Sequence, residues 1–190
     1  MGRRDVLKLV ISKLKSKGID CVVIGSDVLE LTGKIRISEL DDIDLFITNK
    51  STLLEEQLFR NIAKESNWYY STTWLDTPKY IIPFGGREYH VELYENIYDF
   101  YIPPEILDSS VKIKLNKEIT CRSLNIEAYI ILKAKAGRQK DNEDLKRISE
   151  LISRGKLRIN KKLVQEYLMY IPEEEKSMVV NKLSKYNLIR

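Results

Sequence analysis

The pattern of hydrophobic and polar positions predicts that the chain begins with alternating helices and strands. Apolar residues at helical spacing from Val6 to Leu14 predict a first helix that ends near Gly18. Continuous apolar runs at residues 21–24 and 42–48 predict two buried strands. The segment 27–31 between them predicts a short helix. The order is therefore helix, strand, short helix, strand.

The middle of the chain has the pattern of a β-sheet. A helix that begins at Ser51 comes first, and β-type sequence then runs from residue 68 to residue 94. Within this stretch Gly85-Gly86 is a turn signal, and residues 89–94 alternate between polar and apolar side chains. A further hairpin is predicted across Asn116-Lys117. We therefore expect a mixed α/β sheet flanked by helices.

The end of the chain returns to helical spacing. Helical periodicity begins at Ile126, and the tail from residue 160 predicts two amphipathic helices divided near Pro172. We expect an α/β core over residues 1–122 and a C-terminal helical region over residues 123–190. A length of 190 residues suits one compact domain, or a core with a small appended domain.

Composition excludes some classes of protein. Hydrophobic residues make up 43% of the chain and charged residues 32%, which supports a real core and a soluble surface. No apolar run approaches the roughly 18 to 20 residues that cross a bilayer, and no apolar signal core follows the first residues. We therefore expect a cytoplasmic protein without a membrane partner. No Cys/His group has the spacing of zinc ligands.

Charge is distributed unevenly along the chain. The net charge is +4, but residues 1–110 hold 13 basic and 18 acidic side chains, whereas residues 111–190 hold 19 basic and 10 acidic ones. An acidic front beside a basic rear fits a metal-binding region next to a surface that attracts phosphates. An ordinary solvated surface explains the same counts.

The candidate chemistry begins with two carboxylates in an apolar run. Asp42 and Asp44 are two residues apart in a predicted strand, so their side chains project from one face. A divalent cation offsets the repulsion between two adjacent half-buried anions. A solvated strand end is the alternative. Gly25-Ser26 ends the preceding strand, where glycine permits close backbone approach to a phosphate, although Ser26 is also a good helix cap.

These residues together resemble a known family. A strand, Gly25-Ser26, a short helix, a strand with Asp42-x-Asp44 and a later strand with one more carboxylate resemble the DNA polymerase β-like nucleotidyltransferase superfamily. The similarity is closest to small bacterial and archaeal members, including AbiEii-type toxins of toxin–antitoxin systems. Arg36-Ile37-Ser38 and the block 132–145 also fit this group. The resemblance covers about residues 20 to 152 and implies a nucleotidyltransferase-like fold.

The resemblance also implies a set of functional residues. It makes Asp42, Asp44 and Glu92 both the catalytic acids and the ligands of Mg²⁺ or Mn²⁺, with Glu92 where the family usually has aspartate. It implies that the nucleoside triphosphate is bound by Gly25, Ser26, Lys133, Arg138, Lys140 and Asp141. In the second group, Lys133 and Asp141 share one helix face if that helix continues through Gly137. A solvated helix face is the alternative there.

Two functions of different classes follow from this resemblance. The first is a metal-dependent nucleotidyltransferase that acts on a hydroxyl of RNA, particularly tRNA, or of a protein, with a possible antitoxin as partner. The second is an inactive module of the same fold that binds nucleic acid or a partner protein, which the glutamate at position 92 and the basic rear favour. A sugar-nucleotide glycosyltransferase also uses D-x-D, but 190 residues are few for that class.

Overall fold

The computed structural model describes residues 2–33, 35 and 42–189, and divides the chain into two compact units. The first unit comprises Met1–Tyr101 and Ser110–Ser123. The second comprises Ile102–Ser109 and Leu124–Arg190. A short helix that precedes the last two strands therefore belongs to the second unit.

The first unit contains a seven-stranded mixed sheet in its described residues. Its strands are β1 Cys21–Val23, β2 Asp42–Ile47, β3 Tyr69–Thr72, β4 Pro78–Phe84, β5 Arg87–Tyr94, β6 Val111–Lys114 and β7 Thr120–Ser123. The order across the sheet is β3-β4-β5-β2-β1-β7-β6. Strand β2 is antiparallel to β1 and parallel to β5, and β1 is parallel to β7. The mixed sheet flanked by helices that the sequence predicts is confirmed.

Three helices accompany this sheet in the described part of the first unit. They are α1 Arg3–Ser16, α2 Asp27–Leu31 and α3 Glu56–Glu65. The apolar stripe of α1 is buried, as its periodicity predicts, and so are the central strands β1 and β2 on their apolar positions.

The helix predicted from Ser51 starts later than expected. Helix α3 begins at Glu56, and Leu54 in the preceding turn is 91% exposed. The preceding turn is held instead by the Glu95 carboxylate, which accepts hydrogen bonds from the Ser51 and Thr52 hydroxyls and from the backbone N–H of Leu53. These side-chain hydrogen bonds stabilise a turn in competition with the helix.

The second unit is helical in its described residues. It contains α4 Pro104–Asp108, α5 Ile126–Ala136, α6 Gln139–Ser153, α7 Lys161–Tyr167, a 3₁₀ turn at Leu168–Tyr170 and α8 Glu173–Lys185. The Asn125 side chain caps α5 by accepting a hydrogen bond from the backbone of Ala128. Gly137 ends α5 with a φ of 63°, a left-handed conformation that favours glycine. Among the described residues, none of the helices has both the length and the apolar character of a membrane span.

Candidate active site

The two aspartates lie at the start of β2 on one face of the sheet. Ile43 and Leu45, which alternate with them, are fully buried on the opposite face. Asp42 and Asp44 are half-buried, and the side chain of Asp42 is 45% exposed. Two carboxylates therefore project side by side from a strand that sits between β1 and β5. This is the paired arrangement that the sequence predicts.

Gly25 lies directly against Asp44. A β-carbon placed on Gly25 would lie 2.7 Å from both Cβ and Cγ of Asp44, and closer still to Oδ2. Just before it, the backbone N–H of Ile24 donates a hydrogen bond of 3.0 Å to the carbonyl of Asp44. The glycine is therefore required by close packing, since any side chain here would displace the carboxylate. Ser26, which follows it, is buried at the start of α2.

An ion pair between Arg3 and Asp27 stabilises the junction of Gly25, Asp42 and Asp44, which we call the acidic corner. Sequence reasoning did not identify either residue of this pair. Arg3 Nε and Nη2 donate to the two oxygens of Asp27 at 2.6 and 2.7 Å, and Nη2 also donates to the carbonyl of Asp42. The pair is largely buried, with side-chain exposures of 15% and 7%. Burial opposes the charge of Arg3, but the hydrogen bond and charge of Asp27, with the charges of Asp44 and Asp42, raise its pKa above the ordinary value.

Strand register places Glu92 and Lys79 in line with Asp44. Asp44 of β2 is paired with Glu92 of the parallel strand β5, and Glu92 is in turn paired with Lys79 of the antiparallel strand β4. Paired residues on adjacent strands project from the same face. One row of charged side chains therefore crosses three strands. In the next row, His90 Nδ1 lies 3.5 Å from Asp42 Oδ1.

The carboxylate of Glu92 binds protein groups through both of its oxygens. Oε1 accepts from Lys79 Nζ at 2.9 Å, and Oε2 accepts from the hydroxyl of Tyr94. Glu92 and Lys79 are 18% and 20% exposed, so water screens their attraction only partly. Lys79 could be assigned to the site only from the register, because its spacing from Glu92 in the sequence carries no known motif. Tyr94 lies two residues after Glu92, so strand alternation alone places both on one face.

The donor set fits a divalent cation in part. Across residues 2–33, 35 and 42–189, no three His, Cys, Asp or Glu side chains are gathered so that they could hold a metal ion. Asp42 and Asp44 supply the oxygen donors that hard cations prefer, on one face and beside a glycine. Glu92 lies alongside in register but is engaged by Lys79 and Tyr94. The two aspartates offer oxygen donors for a cation, whereas both oxygens of Glu92 already accept hydrogen bonds from protein groups.

The predicted nucleotide-binding residues Lys133, Arg138, Lys140 and Asp141 lie in the second unit. A shared helix face required the helix to continue through Gly137, but the helix ends there. Lys133 on α5 and Asp141 on α6 instead meet across the turn between two helices. Lys133 Nζ lies 2.8 Å from Asp141 Oδ1 and 2.8 Å from Asp144 Oδ2.

The carboxylate of Asp141 is the centre of this group. Its side chain is completely buried, and it accepts a bond of 2.8 Å from Nε of Arg138. Burial raises the pKa of Asp141, but hydrogen bonds from Arg138 and Lys133 outweigh that effect and lower it. Lys133 and Asp141 thus hold two helices together, whereas the side chains of Arg138 and Lys140 are exposed. The segment Arg36-Ile37-Ser38 lies outside the described residues.

Comparisons with known proteins identify the family of this chain and proteins of similar fold. The family described as nucleotidyl transferase of unknown function (DUF2204) matches residues 3–185. No curated protein matches the sequence. A crystal structure of an antigenic nucleotidyltransferase-like protein from Paracoccidioides brasiliensis is similar in fold, with a TM-score of 0.57 and 16% identity over 96% of this chain and 87% of that one. The solution structure of antibiotic-resistance factor ANT(2'')-Ia has a TM-score of 0.48 and 11% identity, over 97% of this chain and 92% of that one.

Proposed function

The chain belongs to the family of nucleotidyl transferases of unknown function, and from this premise we propose that it transfers a nucleotidyl group from a nucleoside triphosphate to a hydroxyl group. The membership confirms the resemblance to the nucleotidyltransferase superfamily. The observation that supports the proposal most is the pair Asp42 and Asp44 on one sheet face, with Gly25 leaving room for the second carboxylate. Two carboxylates on one strand face can bind a divalent cation, which in turn stabilises the charge on phosphate oxygens.

We assign the binding of a divalent cation, Mg²⁺ or Mn²⁺, to Asp42 and Asp44. Such a cation supplies charge stabilisation to the phosphate oxygens during transfer. Arg3 holds the backbone of Asp42 and the carboxylate of Asp27, so it keeps the start of β2 in place against α2. Pre-organised ligands of this kind cost no reorganisation during the reaction.

We assign to Glu92 the role of accepting the proton of the acceptor hydroxyl. The sequence prediction makes Glu92 both a third metal ligand and a catalytic carboxylate, and in the second role it can assist removal of the proton from the attacking hydroxyl. The bonds from Lys79 and Tyr94 favour the second role, because they fix the carboxylate without gathering it to the aspartates. In this role Glu92 accepts the proton from the attacking oxygen.

Contacts to the triphosphate are proposed for two groups of residues. For Gly25 and Ser26 this role follows from the family resemblance, since the space beside the Gly25 Cα is filled by the Asp44 carboxylate. In the second unit, the exposed side chains of Arg138 and Lys140 suit a phosphate ligand, and the buried pair of Lys133 and Asp141 orders the turn that carries them.

RNA is the acceptor that charge favours, since residues 111–190 hold 19 basic and 10 acidic side chains. A protein hydroxyl, a role in a toxin–antitoxin system and an antitoxin partner follow from the resemblance to AbiEii-type toxins and stay predictions. So does a cytoplasmic location.

The test of the proposed function is transfer of label to a macromolecule. The protein is incubated with each α-labelled nucleoside triphosphate, Mg²⁺ or Mn²⁺, and total RNA or cell protein. We expect transfer to fall at least about 100-fold in Asp44→Asn, the order of loss when one transition-state-stabilising group is removed. Asp20→Asn is the matched control, because Asp20 is an exposed aspartate just before β1. Equal transfer by Asp44→Asn and the unaltered protein would contradict the proposal.

The ion pair of Glu92 with Lys79 favours a second candidate, an inactive module of the same fold. Calorimetry separates the two functions. Nucleoside triphosphate binding that depends on Mg²⁺ supports the enzyme. Binding of RNA that weakens steeply with salt, without any metal-dependent nucleotide binding, supports the module.

A further inference from the structure

We infer that Lys79 supplies the positive charge beside Glu92 that a second divalent cation would otherwise supply, so that the site binds one cation, at Asp42 and Asp44. The inference rests on the proposed function and specifies its cofactor stoichiometry. It starts from the row of side chains that crosses β2, β5 and β4, namely Asp44, Glu92 and Lys79. Glu92 is flanked by a carboxylate on one strand and by an ammonium group on the other.

The contacts of Glu92 leave neither oxygen without a protein partner. Lys79 Nζ donates to Oε1 at 2.9 Å, and the Tyr94 hydroxyl donates to Oε2. The Tyr94 ring is held in turn by stacking on Phe100, with ring centroids 4.8 Å apart. A cation shared between Asp44 and Glu92 would have to displace both donors, and the displaced ammonium group would repel it.

The backbone fixes Lys79 in this position. Strand β4 lies between β3 and β5, and Lys79 sits between the buried residues Pro78 and Tyr80. Only 20% of the Lys79 side chain is exposed, so the ammonium group depends on its partner more than a surface lysine does. The pair is therefore part of the sheet and not a loose surface contact.

The chemistry of a nucleotidyl-transfer site gives this pair a use. Two positive centres near the reacting phosphate are commonly two metal ions held by shared carboxylates. Here the carboxylate next to Asp44 already carries a positive partner from the protein. The positive charge of a lysine does not depend on the concentration of free metal, so the site needs one bound cation instead of two.

The test counts the Mn²⁺ ions bound per chain, measured by electron paramagnetic resonance of free Mn²⁺ during titration of the full-length protein with Mn²⁺ alone. We expect one ion for the unaltered protein, one for Glu92→Gln and none for Asp44→Asn. Removal of the lysine charge in Lys79→Met should expose Glu92 and raise the count from one to two. The double variant Lys79→Met/Glu92→Gln should return it to one.

Control variants separate this role from simple folding. Lys79→Arg keeps the charge and should bind one ion. Lys50→Met removes a lysine from another carboxylate pair, with Glu55 at 3.0 Å, and should also bind one. Lys79→Gln replaces Lys79→Met if the thermal melting of the latter shows that it is unfolded.

Three results would overturn the inference. Two ions in the unaltered protein, of which Glu92→Gln loses one, would show that Glu92 is a metal ligand after all, and would leave the proposed function standing. A single ion in the folded lysine variants would show that Lys79 does not limit the count. No bound Mn²⁺ in the unaltered protein would remove the proposed function together with this inference.

Discussion

Substitution of Gly25 with alanine would place a methyl group in the space of the Asp44 carboxyl group. The added Cβ would lie 2.7 Å from Cβ and Cγ of Asp44, whereas non-bonded carbon atoms rest at about 3.5–4.0 Å. The aspartate must therefore move by about 1 Å relative to the corner. Gly25 does not have a positive φ, so the expected effect is steric and does not come from backbone strain.

The size of the effect follows from this displacement. Overpacking costs about 1–3 kcal/mol of folding free energy, which for a chain of this length lowers Tm by about 2–12 °C. A catalytic group misplaced by about 1 Å loses about 100-fold in rate. We therefore expect Gly25→Ala to fold, with a modest loss of stability and a large loss of nucleotidyl transfer.

The assay compares Gly25→Ala with Gly2→Ala in thermal melting, Mn²⁺ affinity and kcat/KM for label transfer. Gly2 is a suitable control, because its backbone is extended and nothing lies within 4 Å of an added Cβ. The control should match the unaltered protein in all three measurements. If Gly25→Ala kept its Mn²⁺ affinity and its transfer rate within about twofold, the close packing of Gly25 on Asp44 would have no part in forming the site.

Two further predictions concern the buried ion pairs. Asp141→Asn should lower the free energy of unfolding, measured by urea denaturation at pH 7, by about 3 kcal/mol, because it removes a buried ion-pair partner of Lys133. The pKa of Asp141 is lowered in the folded state, so its carboxylate stabilises the protein above its unfolded pKa. That stability is lost as the pH falls through the folded pKa. The free energies of unfolding of Asp141→Asn and the unaltered protein should therefore converge below about pH 4. Arg3→Met should lower the free energy of unfolding by a similar amount, because it leaves Asp27 buried without its bidentate partner. A double-mutant cycle with Asp27→Asn should give a coupling energy of about 2 kcal/mol. Additive effects would show that the pair does not stabilise this part of the site.

Local pattern was sufficient to predict the elements that build the acidic corner. The apolar runs around Gly25 and around Asp42-x-Asp44 predict two buried strands, and the structure has β1 and β2 there. Period-2 geometry alone places the two aspartates on one face. These features depend on neighbours in the sequence, so no knowledge of the tertiary structure is needed to infer them.

Features that depend on register or on chain reversal could not be predicted. Lys79 and Glu92 are 13 residues apart and meet only because β4 and β5 pair in one particular alignment. Arg3 and Asp27 are 24 residues apart and lie on different helices. Lys133 and Asp141 could share a helix face only if one helix continued through Gly137. The left-handed Gly137 ends that helix, and the two residues meet across the turn.

The charges around the acidic corner show why these unpredicted pairs matter for function. Two carboxylates at its margins, Asp27 and Glu92, are each matched by a cation of the protein, Arg3 and Lys79. The charges of Asp42 and Asp44 also act on Arg3, so this guanidinium serves more than one carboxylate. In the proposed function, the divalent cation binds at the Asp42–Asp44 pair. A second divalent ion beside Glu92 would be repelled by the ammonium group of Lys79. If Lys79 takes the place of that ion, the register that joins Lys79 to Glu92 also sets the number of ions that the site holds.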